Sequence, residues 1–226
     1  MRRLAPLALA ALLASAGLSP VRAADAPAKP AEAPKPADAP KAAEGAKADD
    51  GFVSVFNGKD LTGWVTTGTA KAAVEDGHLV ILDGDGLVRL DKVYGDFVFE
   101  IEWKNRKADK FDSGIYFRSE PAAKGQKWPA KYQVNLQQGR EGSLVGSATA
   151  VARGMAKPGE WNRLRLTVVG KHAEVEVNGM PAWKYENITP EKGLLGIQCE
   201  VPGGGQFEFR NIRVKALTPP TEAPKE

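Results

Sequence analysis

One cysteine and two histidines in 226 residues leave little room for thiol, zinc or histidine-based chemistry. Cys199 has no partner within the chain, so no intramolecular disulfide forms and the fold must hold by packing. It closes the run Leu194-Leu195-Gly196-Ile197-Gln198-Cys199, where a buried structural thiol is expected rather than a nucleophile. His78 and His172 stand in separate turns, without the spacing of a zinc site. No strand–turn–helix elbow presents a serine. Gly203-Gly204-Gly205 precedes a strand and reads as a turn, not a phosphate loop. Asp83 and Asp85 look like part of a calcium loop but lack its downstream Glu, which leaves a tight turn. No window keeps a helical period, and only one apolar run is long enough to consider as a membrane element.

That run, Leu4 to Leu18, follows Arg2 and Arg3 and precedes Val21-Arg22-Ala23. It is too short for a stable bilayer span. A basic start, a short apolar stretch and small residues at a cleavage point predict a signal peptide over residues 1–23, with the mature chain starting at Ala24 and no membrane insertion afterwards. The expected destination is the periplasm or the exterior. Of the 31 basic side chains, Arg2, Arg3 and Arg22 leave with this segment, so the remaining 28 balance the 28 acidic ones. A neutral mature chain lacks the electrostatic footprint that nucleic acid requires.

Residues 24–50 are low in complexity, with Lys29, Lys35, Lys41 and Lys47 spaced among Pro27, Pro30, Pro34, Pro36 and Pro40. Such a stretch has little to bury and reads as a disordered linker. The tail 218–226 has the same character. Between them, residues 51–217 alternate apolar and polar, as in Phe97-Val98-Phe99-Glu100-Ile101-Glu102-Trp103-Lys104. Asn57-Gly58, Asp76-Gly77 and Asn178-Gly179 punctuate the alternation, the last with the signature of a type I′ hairpin. The chain therefore predicts an all-β sandwich of two antiparallel sheets.

Strand alternation sets Glu100, Glu102 and Lys104 on one side of their strand. The same rule turns Tyr116 and Arg118 away from Ile115 and Phe117, and groups Gln133, Asn135 and Gln137. Gln198 and Glu200 follow in a further strand. If these strands are neighbours, their outward faces form a patch of amide, carboxylate, guanidinium and phenol groups suited to sugar hydroxyls. An ordinary solvated sheet face is the alternative.

Further residues carry a family resemblance. Phe52-Val53-Ser54-Val55-Phe56-Asn57-Gly58-Lys59-Asp60-Leu61-Thr62-Gly63-Trp64 resembles the opening of the 3-keto-disaccharide hydrolase domain, long catalogued as a domain of unknown function. Tyr94-Gly95-Asp96-Phe97, Glu102-Trp103, Asp112-Ser113-Gly114-Ile115-Tyr116-Phe117-Arg118, Gly159-Glu160-Trp161-Asn162, Val177-Asn178-Gly179 and Phe209-Arg210-Asn211-Ile212 follow in the family's order. The resemblance implies a concanavalin-like jelly-roll sandwich with a carbohydrate ligand on its concave sheet, acting on glycosides oxidised at C3. It also implies Glu102 as base or metal ligand and Arg118 as oxyanion partner. Tyr116, Gln133, Asn135, Gln137, Gln198 and Glu200 would then bind substrate, and a divalent metal cation is a candidate cofactor. The chain departs from the family where Tyr132-Gln133-Val134-Asn135-Leu136-Gln137-Gln138 stands for Tyr-Glu-Val-Gln-Ile-x-Asp, so two carboxylates have become amides. Three readings stay open: a hydrolase or lyase, a lectin-like binding module, and an envelope interaction module.

Overall fold

The computed structural model describes residues 50–224. The expected signal peptide and all of the expected linker except Asp50 lie outside the described residues.

The chain forms, in order, β1 (Val53–Ser54), β2 (Trp64–Thr66), β3 (Lys71–Glu75), β4 (His78–Asp83), β5 (Asp85–Tyr94), β6 (Phe97–Asn105) and β7 (Gly114–Ser119). There follow β8 (Gln133–Asn135), β9 (Asn162–Val169), β10 (His172–Val177), β11 (Met180–Tyr185), β12 (Gly193–Glu200), a one-turn helix α1 (Val201–Gly204), β13 (Phe207–Ala216) and β14 (Thr221–Glu222). They assemble two antiparallel sheets. One has eight strands in the order β11-β10-β9-β6-β13-β4-β3, with β1 also on β13. The other has six, β14-β5-β12-β7-β8, with β2 also on β5. The expected all-β sandwich is what the chain forms.

Alternation explains the core. Phe97, Phe99, Ile101 and Trp103 of β6 and Phe207 and Phe209 of β13 point inward from the eight-stranded sheet. Val88, Ile115, Phe117, Val134, Leu195, Ile197 and Cys199 meet them from the six-stranded one. Each fully buried large side chain contributes roughly 1.5–3 kcal/mol, so this layer carries the fold. Cys199 is buried, as expected. Asn178 and Gly179 take φ values of 53° and 79° between β10 and β11, the pair of left-handed residues that a type I′ turn needs.

One local expectation fails. The tail is ordered at least through Ala223: Thr221 and Glu222 pair with Val93 and Lys92 on the edge of β5, and Ala223 N–H donates to Asp91 O at 3.0 Å. An exposed strand edge offers unpaired backbone groups, and two residues suffice to use them whatever their composition. The glycine run leads into β13 as expected, Gly203 and Gly204 closing the one-turn helix α1. There Gly204 lies so close to Asp112 that any Cβ would collide with the Asp112 backbone, and Asp112 N–H donates to Gly204 O at 3.0 Å.

Candidate functional site

The register of the six-stranded sheet arranges its outward side chains in three cross-strand rows. Val65, Arg89, Gly196, Tyr116 and Gln133 oppose one another in sequence across β2, β5, β12, β7 and β8. One step along, Leu87 opposes Gln198, and Gly114 opposes Asn135. A further step brings Asp85 opposite Glu200. Asp112 and Gln137 flank β7 and β8 at that same end.

Glycine shapes the middle of this face. A Cβ at Gly114 would run into the Gln133 side chain, so only glycine lets Gln133 cross β7. Gln133 Nε2 then donates to Gln198 Oε1, and Gln198 Nε2 donates to Glu200 Oε2 at 2.8 Å. A second thread ties Asn135 Oδ1 to the Gln137 N–H at 2.8 Å and Gln137 Nε2 to Asp112 Oδ2 at 2.7 Å. Gln133, Asn135 and Gln198 are buried. This is a rigid amide ladder that ends on carboxylates.

Those carboxylates are perturbed. Burial first, then the neighbouring charges of Asp112 and Asp85, raises the Glu200 pKa, with Lys127 opposing. Burial also raises Asp112, against hydrogen bonds from Gln137 and Ser113 and the charge of Arg140. Tyr116 is pushed up to about 12 by burial and by the charges of Glu200 and Asp112. Glu200, Asp112 and Tyr116 therefore sense one another electrostatically, which is the coupling expected of an acid–base site.

A strap, residues 120–131, passes over this face between β7 and β8. Lys127 Nζ reaches Asp85 Oδ2 at 2.7 Å, and Trp128 Nε1 donates to the Cys199 carbonyl at 3.0 Å. Between the strap, Tyr116 and Thr189-Pro190 lies a cleft of about 660 Å³.

The expected site is only partly gathered. Tyr116, Gln133, Asn135, Gln137, Gln198 and Glu200 share this region. Glu102 does not: β6 belongs to the eight-stranded sheet, and Glu102 sits on that sheet's outward face, bonded to Arg210 Nε at 2.7 Å. A sandwich separates two outward faces by its whole core, so Glu102 cannot share a substrate with Gln133.

Arg118 is also displaced from its expected role. Tyr116 opposes Gly196 while Ser119 opposes Leu194, so β7 carries one extra residue there, and Arg118 takes φ 47°. Alternation breaks at such a bulge. The buried guanidinium donates to Gly95 O at 2.7 Å, Gly170 O at 3.2 Å, Pro190 O at 3.0 Å and Asp96 Oδ1 at 2.8 Å. It clamps three connections and has little left for an oxyanion.

Asp85, Asp112, Lys127 and Trp128 are members of the region that alternation alone did not single out. Asp112 and Gly114 stand in the motif Asp112-Ser113-Gly114, whose residue types announce a close-packed polar turn. The carboxylates do not fit a tightly held divalent cation. Among the described residues no three His, Cys, Asp or Glu side chains converge as ligands, and Lys127 neutralises Asp85.

Residues 51–215 match the family model described as 3-keto-alpha-glucoside-1,2-lyase-like domain. Two solved structures, each described as a "putative glycosyl hydrolase" from Parabacteroides distasonis ATCC 8503, share the fold. Their TM-scores are 0.61 and 0.60 at 21% and 20% identity, over 74% of this chain and 94% and 99% of theirs. The Emp47p carbohydrate recognition domain gives 0.50 at 15% identity, over 76% of this chain and 99% of its own. A comparison with curated proteins gives no match.

Proposed function

Because the chain belongs to the 3-keto-alpha-glucoside-1,2-lyase-like domain family, we propose that it cleaves 3-keto-glycosides on the outward face of its six-stranded sheet, by elimination and then hydration. A ketone at C3 acidifies the hydrogen on C2, and the glycosidic oxygen on C1 lies β to that carbonyl. Glu200 takes the C2 proton. The C2 electron pair closes the C1–C2 double bond as the aglycone oxygen departs, and water then adds at C1 while the proton returns to C2. Net hydrolysis follows with no covalent enzyme intermediate.

The observation that carries this reading is Glu200 held beside Asp85 and Asp112, with its pKa raised, at the end of the amide ladder. A carboxylate with a raised pKa is a stronger base than an ordinary one. Gln133, Asn135 and Gln198 supply the paired donors and acceptors that fixed sugar hydroxyls need. Glu102 and Arg118 have no part in this assignment.

The test is release of free 3-keto sugar from 3-keto-glycosides by the mature chain, together with calorimetric binding. Turnover that disappears in Glu200→Gln supports the reading. Binding without turnover in the wild type would instead identify a lectin-like module, a reading that the amides at Gln133 and Gln138, where the family has carboxylates, favour. Export completes the proposal: the segment before Ala24 supports delivery to the periplasm or exterior. An exported form whose intact mass begins at Ala24 agrees with this, and one retaining residues 1–23 refutes it.

A further inference from the structure

The elimination above needs a second proton transfer. When C1–O breaks, the departing oxygen of an ordinary alcohol is strongly basic, and expelling it bare is slow. Glu200 cannot serve both ends, because it has just taken the C2 proton. A separate donor should stand beside the space that receives the leaving group.

Tyr116 has that position. Its ring is 4% exposed and occupies the row between Gly196 and Gln133. It also lines the cleft under the strap. Among the described residues no group hydrogen-bonds its hydroxyl. A buried phenol without a hydrogen-bond partner in its own chain is able to donate to a molecule bound beside it. The cleft, at about 660 Å³, has room for an aglycone, and Trp128, Pro129 and Pro190 give it flat apolar walls.

We propose that the cleft receives the leaving group and that Tyr116 donates the proton to the departing glycosidic oxygen. This rests on the elimination reading. In the first half, the C1–O electron pair takes the Tyr116 proton, leaving tyrosinate, while Glu200 holds the proton from C2. In the second half, tyrosinate takes a proton from the water that bonds to C1, and Glu200 returns its proton to C2. Both groups end as they began. With its pKa pushed up to about 12, the phenol keeps its proton throughout the neutral range. It yields that proton readily only to an oxygen more basic than itself. Alkoxides qualify, whereas 4-nitrophenolate does not. The natural substrates are accordingly O-glycosides of alcohols or sugars.

Leaving-group dependence tests this, with methyl and 4-nitrophenyl 3-keto-glucosides as probes. Tyr116→Phe keeps the ring and should melt with the wild type. Its loss of turnover on the methyl substrate should exceed that on the nitrophenyl substrate by about 100-fold, the scale of general acid catalysis. Equal losses on both would overturn proton donation by Tyr116 while leaving the elimination reading intact. Glu200→Gln should lose both substrates alike. If Glu200→Gln keeps both while the Tyr116→Phe split persists, the base assignment falls and the donor stands. Wild-type protein inert on both substrates would overturn donor and elimination together.

Discussion

Both outward faces of the sandwich carry buried or half-buried acids, and the fold moves their pKa values in opposite directions. On the eight-stranded sheet Glu100 and Glu208 are matched by basic side chains. Glu100 receives Arg163 at 2.7 Å, Arg165 at 2.8 Å and Arg213 at 2.6 Å. Burial pushes Glu100 up, but the hydrogen bonds and charges of Arg213 and Arg163 outweigh it and leave the carboxyl below its usual range. Glu208 behaves the same way: burial is outweighed by Lys104, His78 and Arg106. Trp161 lies over this network, 4.0 Å from the Arg210 guanidinium. On the six-stranded sheet Asp112 and Glu200 meet amides and one another, and both are raised. An acid surrounded by arginine is held ionised and locks strands together. An acid surrounded by amides is left with a proton affinity it can use.

The largest effect expected from breaking this pattern lies at neither face but at the clamp between connections. Arg118→Met removes a donor from three carbonyls and the charge partner of Asp96, which keeps only the Gly170 N–H, and should cost on the order of 3–5 kcal/mol. A denaturant melt measures it, and a variant that stays stable yet loses turnover would return Arg118 to the site. Next is Glu100→Gln, which leaves Arg163 and Arg165 without a carboxylate while Arg213 keeps Asp50, and should cost about 3 kcal/mol. Its sign with pH follows from the lowered pKa. The contribution of Glu100 is present above the unfolded carboxylate value and lost as pH falls through the folded one. Wild type and variant should therefore converge in acid.

Glu200→Gln should do the reverse. A raised folded pKa favours the protonated form, so this group helps stability below the unfolded carboxylate value and loses that help as pH rises through the folded one. At neutral pH the variant should melt slightly above the wild type, with the difference vanishing on acidification, even as turnover disappears. Equal melting at every pH would argue that the carboxylate is solvated rather than poised. Smallest is Glu102→Gln, which removes a half-exposed pair with Arg210 and should shift stability by less than about 1 kcal/mol.

The sequence carried the fold because it is written locally. Alternation in β6 and β9, glycine turns and Asn178-Gly179 each depend on a few neighbouring residues. The site depends on which strands adjoin, and that is nonlocal. Glu102 and Gln133 look alike in their strands, yet β6 pairs with β9 and β13 whereas β8 pairs with β7. Arg118 shows a second limit. Alternation assigned it to the face of Tyr116, but one extra residue in β7 sends it to a clamp instead, and nothing in Phe117-Arg118-Ser119 announces a bulge. Asp112 and Asp85 were missed as acids of the site because each stands where a turn explains it equally well.

Only one of the two faces can hold the working carboxylate. Turnover of a 3-keto-glycoside by Glu200→Gln and Glu102→Gln, assayed side by side on folded protein, asks this directly. Loss in Glu200→Gln with near-normal rates in Glu102→Gln is the predicted result; loss in Glu102→Gln with activity kept in Glu200→Gln would contradict it.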